Sequence, residues 1–73
     1  MGFTMTAVQM RKYLTAKGFE IAGQRGSHVK MTNGTDTTIV PMHKGDLATG
    51  TLRGILSDAG LSIDDAKKWL RGE

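Results

Sequence analysis

His28 and His43 are the two histidines of the sequence, and imidazole is the side chain whose ordinary pKa, about 6.5, lies close to neutral pH. The chain has no cysteine, so side-chain proton transfer near neutrality rests on this pair. His28 follows Gly26 and Ser27 in a turn before an extended segment, and Arg25 and Lys30 flank it. An imidazole beside cations that can hold a phosphate has the parts needed for phosphodiester chemistry. On a ribose-containing strand it would take the proton of a 2′-hydroxyl as that oxygen attacks the adjacent phosphorus. Arg25 and Lys30 would stabilise the phosphorane, Gly26 would admit backbone close to the phosphate, and Ser27 would donate a hydrogen bond. The same triplet also reads as the start of an ordinary exposed strand, and isolated histidines are more often inert than catalytic. The residues alone leave both readings open.

His43 stands in a loop after Pro41, next to Lys44 and in the same loop as Asp46. Asp46 could orient it, although a solvated loop acid is the plainer reading. Two histidines without a thiolate make a poor metal set, so no metal or other cofactor is expected. Asp64 and Asp65 are explained by a helix start, where acids complement the helix dipole. Ser27 has no acid–base partner in sequence that would make it a nucleophile. The glycines match neither the Walker nor the Rossmann phosphate-binding pattern. Lys67 and Lys68 read as a solvated helix face, and Trp69 as core or interface rather than a base-stacking platform.

The elements that must position these residues follow from periodicity. Thr6 with Gln9 three residues on forms a capping box, and Met10, Tyr13, Leu14 and Lys17 keep helical spacing up to Gly18. Phe19-Glu20-Ile21 alternates as a half-buried strand, and Gly23 to Gly26 breaks it. Ser27 to Thr32 resumes the pattern, with Val29 and Met31 on one face and His28 and Lys30 on the other. Asn33-Gly34 is a strong hairpin signal, since both residues tolerate positive φ, and Thr37 to Val40 reads as the returning strand, stopped by Pro41. Met42 to Gly50 is a connecting loop. A second helix runs from about Thr51 to Ala59, ended by Gly60. Ser62 caps a third that carries Ala66, Trp69 and Leu70 and reaches Arg71.

The expected fold class is α+β, an αβββα order with a three-stranded antiparallel sheet, helices on one face, and a short C-terminal helix. Residues 1–73 form a single domain, with a core over about 6–61 and the C-terminal helix over about 63–71. A chain this short has a thin stability margin, and without disulfides it depends on an efficient core, a protein partner, or both.

The net charge is +3 and unevenly spread. Residues 1–53 hold seven Lys or Arg against three acids, and residues 54–73 hold three against four. The basic two-thirds favours a polyanion partner, since binding one releases its counterions. No apolar run reaches the roughly 20 residues of a membrane span. Met1 to Val8 lacks the charge and apolar stretch of a signal peptide, and the expected compartment is the cytoplasm. Met1-Gly2 followed by Thr6 matches the N-myristoylation spacing, a pattern short enough to recur by chance, and Met5 is an alternative start.

Gly26-Ser27-His28, then Val40-Pro41-Met42-His43, then the run from Gly50 to Leu61, GTLRGILSDAGL, together resemble the HicA toxin family. The resemblance covers Thr6 to Leu61, three-quarters of the chain. It implies a fold similar to the double-stranded-RNA-binding domain and the toxin of a type II toxin–antitoxin system. It further implies a metal-independent endoribonuclease that cleaves mRNA, with His28 as catalytic acid/base and a HicB-like antitoxin as inhibitor. Gly26 and Ser27 match the motif around the catalytic histidine. His43 and the Gly50-Thr51-Leu52-Arg53 segment match positions read as structural or substrate-contacting. Arg25, Lys30 and Lys44 complete the expected substrate contacts. Two features depart from the family. The loop from His43 to Thr49 lacks the Lys-Glu and Pro-Gly pairs common there, and the helix after Leu61 extends past the common core.

Two competing readings use the same fold. One is a non-catalytic RNA-binding module, against which stands the low charge of Thr51-Leu52-Arg53, where such domains carry a lysine cluster. The other is a purely structural, partner-binding domain, which the thin core supports.

Overall fold

The computed structural model describes residues 3–73. Met1 and Gly2, which begin the myristoylation pattern, lie outside the described residues. The element order is α1 (Ala7–Ala16), β1 (Glu20–Arg25), β2 (His28–Thr32), β3 (Thr37–Pro41), α2 (Thr49–Asp58) and α3 (Ile63–Leu70). The strands form one antiparallel sheet in the order β1-β2-β3. This is the αβββα arrangement expected, with the additional C-terminal helix.

α1 starts at the capping box that the sequence predicts. The Thr6 hydroxyl accepts from the Gln9 backbone N–H at 3.1 Å, and the Thr6 N–H donates to Gln9 Oε1 at 2.9 Å. Two of the four orphan donors of the helix start are thereby satisfied. Its buried stripe is Ala7, Met10, Tyr13 and Leu14. α2 begins at Thr49, two residues earlier than its apolar stripe suggests. Its N-cap is Ala48, which makes no side-chain cap. With Gly50 and Gly54 inside it, each costing about 1 kcal/mol relative to alanine, this helix is held by packing of Leu52, Ile55 and Leu56.

In the sheet, Val29, Met31, Thr38 and Val40 turn inward and are buried, while His28, Lys30, Thr37 and Ile39 turn outward. α1 and α2 lie against the inner side over β3. β1 is exposed along its whole length, so it overhangs the helical layer as a sheet edge. Two expectations need correction here. β1 does not break at Gly23. A bulge between Ile21 and Gly23 absorbs the irregularity, and the strand continues to Arg25. Ile21 therefore keeps its place beside Met31 but stays 53% exposed, because the helices stop short of it. Phe19, just ahead of the strand, is the residue that enters the core.

The β2–β3 hairpin forms where the Asn33-Gly34 pair signals it, with its loop over Asn33–Asp36. Asn33 Oδ1 accepts from the N–H groups of Thr35 and Asp36 at 2.9 and 2.6 Å. The Asn side chain thus organises a wider turn, with Gly34 in the left-handed region at φ +94°.

α3 packs on the same core. Ser62 caps it by accepting from the Asp65 N–H at 3.1 Å, Ala66 is fully buried, and the Trp69 ring lies 5.4 Å from that of Tyr13. Asp65 receives the Tyr13 hydroxyl at 2.5 Å and pairs with Lys17 at 2.8 Å. Burial, then the adjacent carboxylate, pushes the Tyr13 phenol above its ordinary value. The Lys17 hydrogen bond, then that of Tyr13, holds the Asp65 carboxyl below the usual range.

Candidate active site

The turn before β2 decides where His28 stands. Arg25 and His28 are paired across a two-residue connection, Gly26-Ser27. Gly26 has φ +58°, the backbone that the first central position of a II′ hairpin turn requires. Gly26 therefore serves turn geometry first, and it sets His28 as the opening residue of the strand. Strand alternation then directs the imidazole outward, away from Val29.

On the other side His28 pairs with Pro41, the last residue of β3. Chain leaving β3 is tied back to the turn, since the Met42 N–H donates to the Ser27 carbonyl at 2.6 Å. The His43 N–H donates to the Pro41 carbonyl at 2.9 Å, which curls the chain once more. These two bonds bring His43 beside His28. The ring centroids are 6.3 Å apart and the planes nearly perpendicular, at 87°. Both side chains are exposed.

An open groove of about 630 Å³ runs over the outer sheet face, lined by Gly23, Gln24, Arg25, His28, Lys30 and Ile39. It holds the two cations expected to flank His28, together with an apolar floor at Ile39, which is 52% exposed. Sequence reading missed Ile39. Thr37 to Val40 is β-branched throughout, so hydropathy shows no alternation there, although the register against β2 fixes its outward face. A second groove, of about 370 Å³, lies on the far side of His43. His43, Lys44 and Gly45 form one wall, and Thr6, Ala7 and Val8 at the start of α1 form the other. Its shape depends on the loop being laced to the N-terminal segment, with the Leu47 N–H donating to the Met5 carbonyl at 2.8 Å and Thr6 bridging Asp46.

The structure thus brings Arg25, Gly26, Ser27, His28, Lys30 and His43 to one end of the sheet, with Lys44 in the adjoining groove. Arg53, in the GTLR segment, is exposed on α2. Among the described residues, no three His, Asp or Glu side chains come together as a metal-binding group. Chemically, the arrangement offers two imidazoles for proton transfer, guanidinium and ammonium groups for a phosphate, and an apolar surface on which a base could rest.

An αβββα domain with helices on one sheet face and a cationic, histidine-bearing opposite end is a small α+β domain of double-stranded-RNA-binding-domain type. The sequence matches the model for the HicA toxin of bacterial toxin–antitoxin systems over residues 8–61, and the chain belongs to that family. Membership makes it a toxin of a toxin–antitoxin system, with an antitoxin as partner. A comparison with curated protein sequences returns no match. Among the described residues, no helix is long and apolar enough to cross a membrane.

Proposed function

We propose that this toxin is a metal-independent endoribonuclease that cleaves mRNA in the cytoplasm, with His28 as catalytic acid/base, and that a HicB-like antitoxin of a type II system inhibits it. The observation that carries this reading is the exposed His28 imidazole sharing one groove with Arg25 and Lys30 in a chain of the HicA family. His28 takes the proton of the 2′-hydroxyl while that oxygen attacks phosphorus. Arg25 and Lys30 hold the non-bridging oxygens, whose negative charge grows as the phosphorane forms. Ser27 and the Gly26 turn keep the imidazole in place, and Ile39 gives a base an apolar surface. Lys44 adds a phosphate contact on the far side of His43.

His28→Ala tests this reading. The side chain is exposed, so the variant is expected to fold, which circular dichroism checks. Loss of a positioned acid–base group lowers cleavage by about 10²–10⁴-fold, and induction of the variant no longer arrests growth. Equal toxicity of variant and wild type would remove His28 from the mechanism. Binding of RNA by the wild type without any cleavage would favour a non-catalytic module. Chelation with EDTA leaves the rate unchanged on this proposal.

A further inference from the structure

We infer that His43 is a second catalytic residue, the general acid that protonates the departing 5′-oxygen. The inference rests on the ribonuclease reading of His28 and adds a named partner to it.

The transfer requires two proton movements. One proton leaves the 2′-hydroxyl as that oxygen attacks, and one must reach O5′ as the P–O5′ bond breaks. An alkoxide expelled without a proton is a poor leaving group, so an acid on that side lowers the barrier. His28 serves one oxygen, and a rigid strand residue does not reach both sides of an in-line phosphorane. His43 stands where the second group is needed. Its ring centroid is 6.3 Å from that of His28. A phosphate held by both imidazoles through hydrogen bonds of about 2.6–3.2 Å needs a wider gap than this, and the two exposed side chains open it by turning outward about their side-chain bonds.

The placement is built into the fold by two backbone bonds, Met42 N–H to the Ser27 carbonyl and His43 N–H to the Pro41 carbonyl. His28 also faces Pro41 across the β2–β3 register, so the short segment from Pro41 to His43 leaves the sheet beside His28. The two grooves supply a path, and His28 as the base for the 2′-hydroxyl gives it direction. The sheet groove holds His28, Arg25 and Lys30, and the groove beside α1 holds His43 and Lys44. A strand crossing from one to the other puts the nucleotide that supplies the 2′-hydroxyl beside His28. The nucleotide that departs then lies beside His43.

The step balances. Neutral His28 gains the 2′-hydroxyl proton, the 2′-O–P bond forms and the P–O5′ bond breaks. Protonated His43 gives its proton to O5′. The products are a 2′,3′-cyclic phosphate and a 5′-hydroxyl, and solvent returns both imidazoles to their starting states.

An RNA oligonucleotide with sulfur in place of the bridging 5′-oxygen tests the assignment, because a thiolate departs without protonation. On the oxygen substrate His43→Ala loses about 10²–10⁴-fold in single-turnover rate. On the sulfur substrate it comes within about tenfold of wild type, while His28→Ala stays slow on both. His43→Gln, which keeps polarity and size but carries no transferable proton, behaves as the alanine variant does, and circular dichroism checks that both fold. Equal loss on both substrates, or no loss on either, overturns the acid role. Rescue of His28→Ala instead of His43→Ala also overturns it, by reversing the two histidines. If wild type cleaves neither substrate, the ribonuclease reading itself fails, an outcome distinct from all of these.

Discussion

The Tyr13 hydroxyl donates to Asp65 Oδ2 at 2.5 Å, across 52 residues of sequence, and this bond fastens α3 to α1. Lys17 completes the contact from the same helix face as Tyr13, at 2.8 Å from the same oxygen. Trp69 stacks at a tilt against the Tyr13 ring one turn further along α3. The segment beyond the family match, which ends at residue 61, is therefore part of the packed structure.

This clasp makes α3 sensitive to acid. The Asp65 carboxyl is held below its usual value of 3.8, first by the Lys17 hydrogen bond and then by that of Tyr13. A carboxyl lowered in the folded state adds stability that is full above its unfolded value and is lost as pH falls through the folded one. Trp69, the sole tryptophan, reports the docking by fluorescence. Its signal should change below about pH 4. Lys17→Met, which removes the largest cause of the shift, should diminish that acid-dependent change more than Tyr13→Phe does. Identical acid titrations in wild type and both variants would mean that the clasp contributes nothing.

Much of this arrangement was legible in the sequence, and the parts that were not share a physical cause. Thr6 and Gln9 announce the α1 start because a capping box is local chemistry. Val29 and Met31 announce the buried face of β2 because period-two alternation requires it. Ile39 was hidden in a uniformly β-branched run, where no polar residue marks the outer face. The hairpin at Asn33-Gly34 was legible, but not the form of its turn, which rests on the Asn33 side chain accepting two backbone N–H groups. The approach of His43 to His28 depends on the β2–β3 register and the Met42–Ser27 bond, both non-local, so spacing in the chain carries no sign of it.

Thr38 offers a test of the core. It is 2% exposed on the inner sheet face, and its hydroxyl has no hydrogen-bond partner among the described residues. A buried hydroxyl left unpaired costs more than the apolar group of the same shape. Thr38→Val should raise stability by about 1 kcal/mol in urea unfolding, without altering cleavage, since the residue points away from the groove. A loss of stability would mean that the hydroxyl has a partner in solution.

Gly26 separates turn geometry from steric approach. A Cβ built there meets nothing within 4 Å, so alanine is opposed only by the φ of +58°. The cost of that backbone for a non-glycine residue is about 1–2 kcal/mol. Gly26→Ala should therefore lower stability by that amount and slow cleavage, because the turn that presents His28 relaxes. Gly26→Asn, which tolerates the left-handed region better, should retain more of both. An alanine variant with unchanged unfolding would show that the turn adopts another form.

Salt dependence distinguishes phosphate contacts from general basicity. Arg25, Lys30 and Lys44 lie in the two grooves that His28 and His43 respectively line, whereas Lys17 is paired with Asp65 and Lys67 and Lys68 belong to α3. Each phosphate neutralised on single-stranded RNA contributes about −0.7 to the slope of log affinity against log salt, so three contacts give about −2. Measured on a non-cleavable 2′-deoxy analogue, Arg25→Gln, Lys30→Gln and Lys44→Gln should each make the slope shallower by about 0.7. Lys68→Gln should leave it as it is. Equal effects at Lys68 and in the grooves would mean that the strand is attracted by overall charge and does not follow the path past His28 and His43.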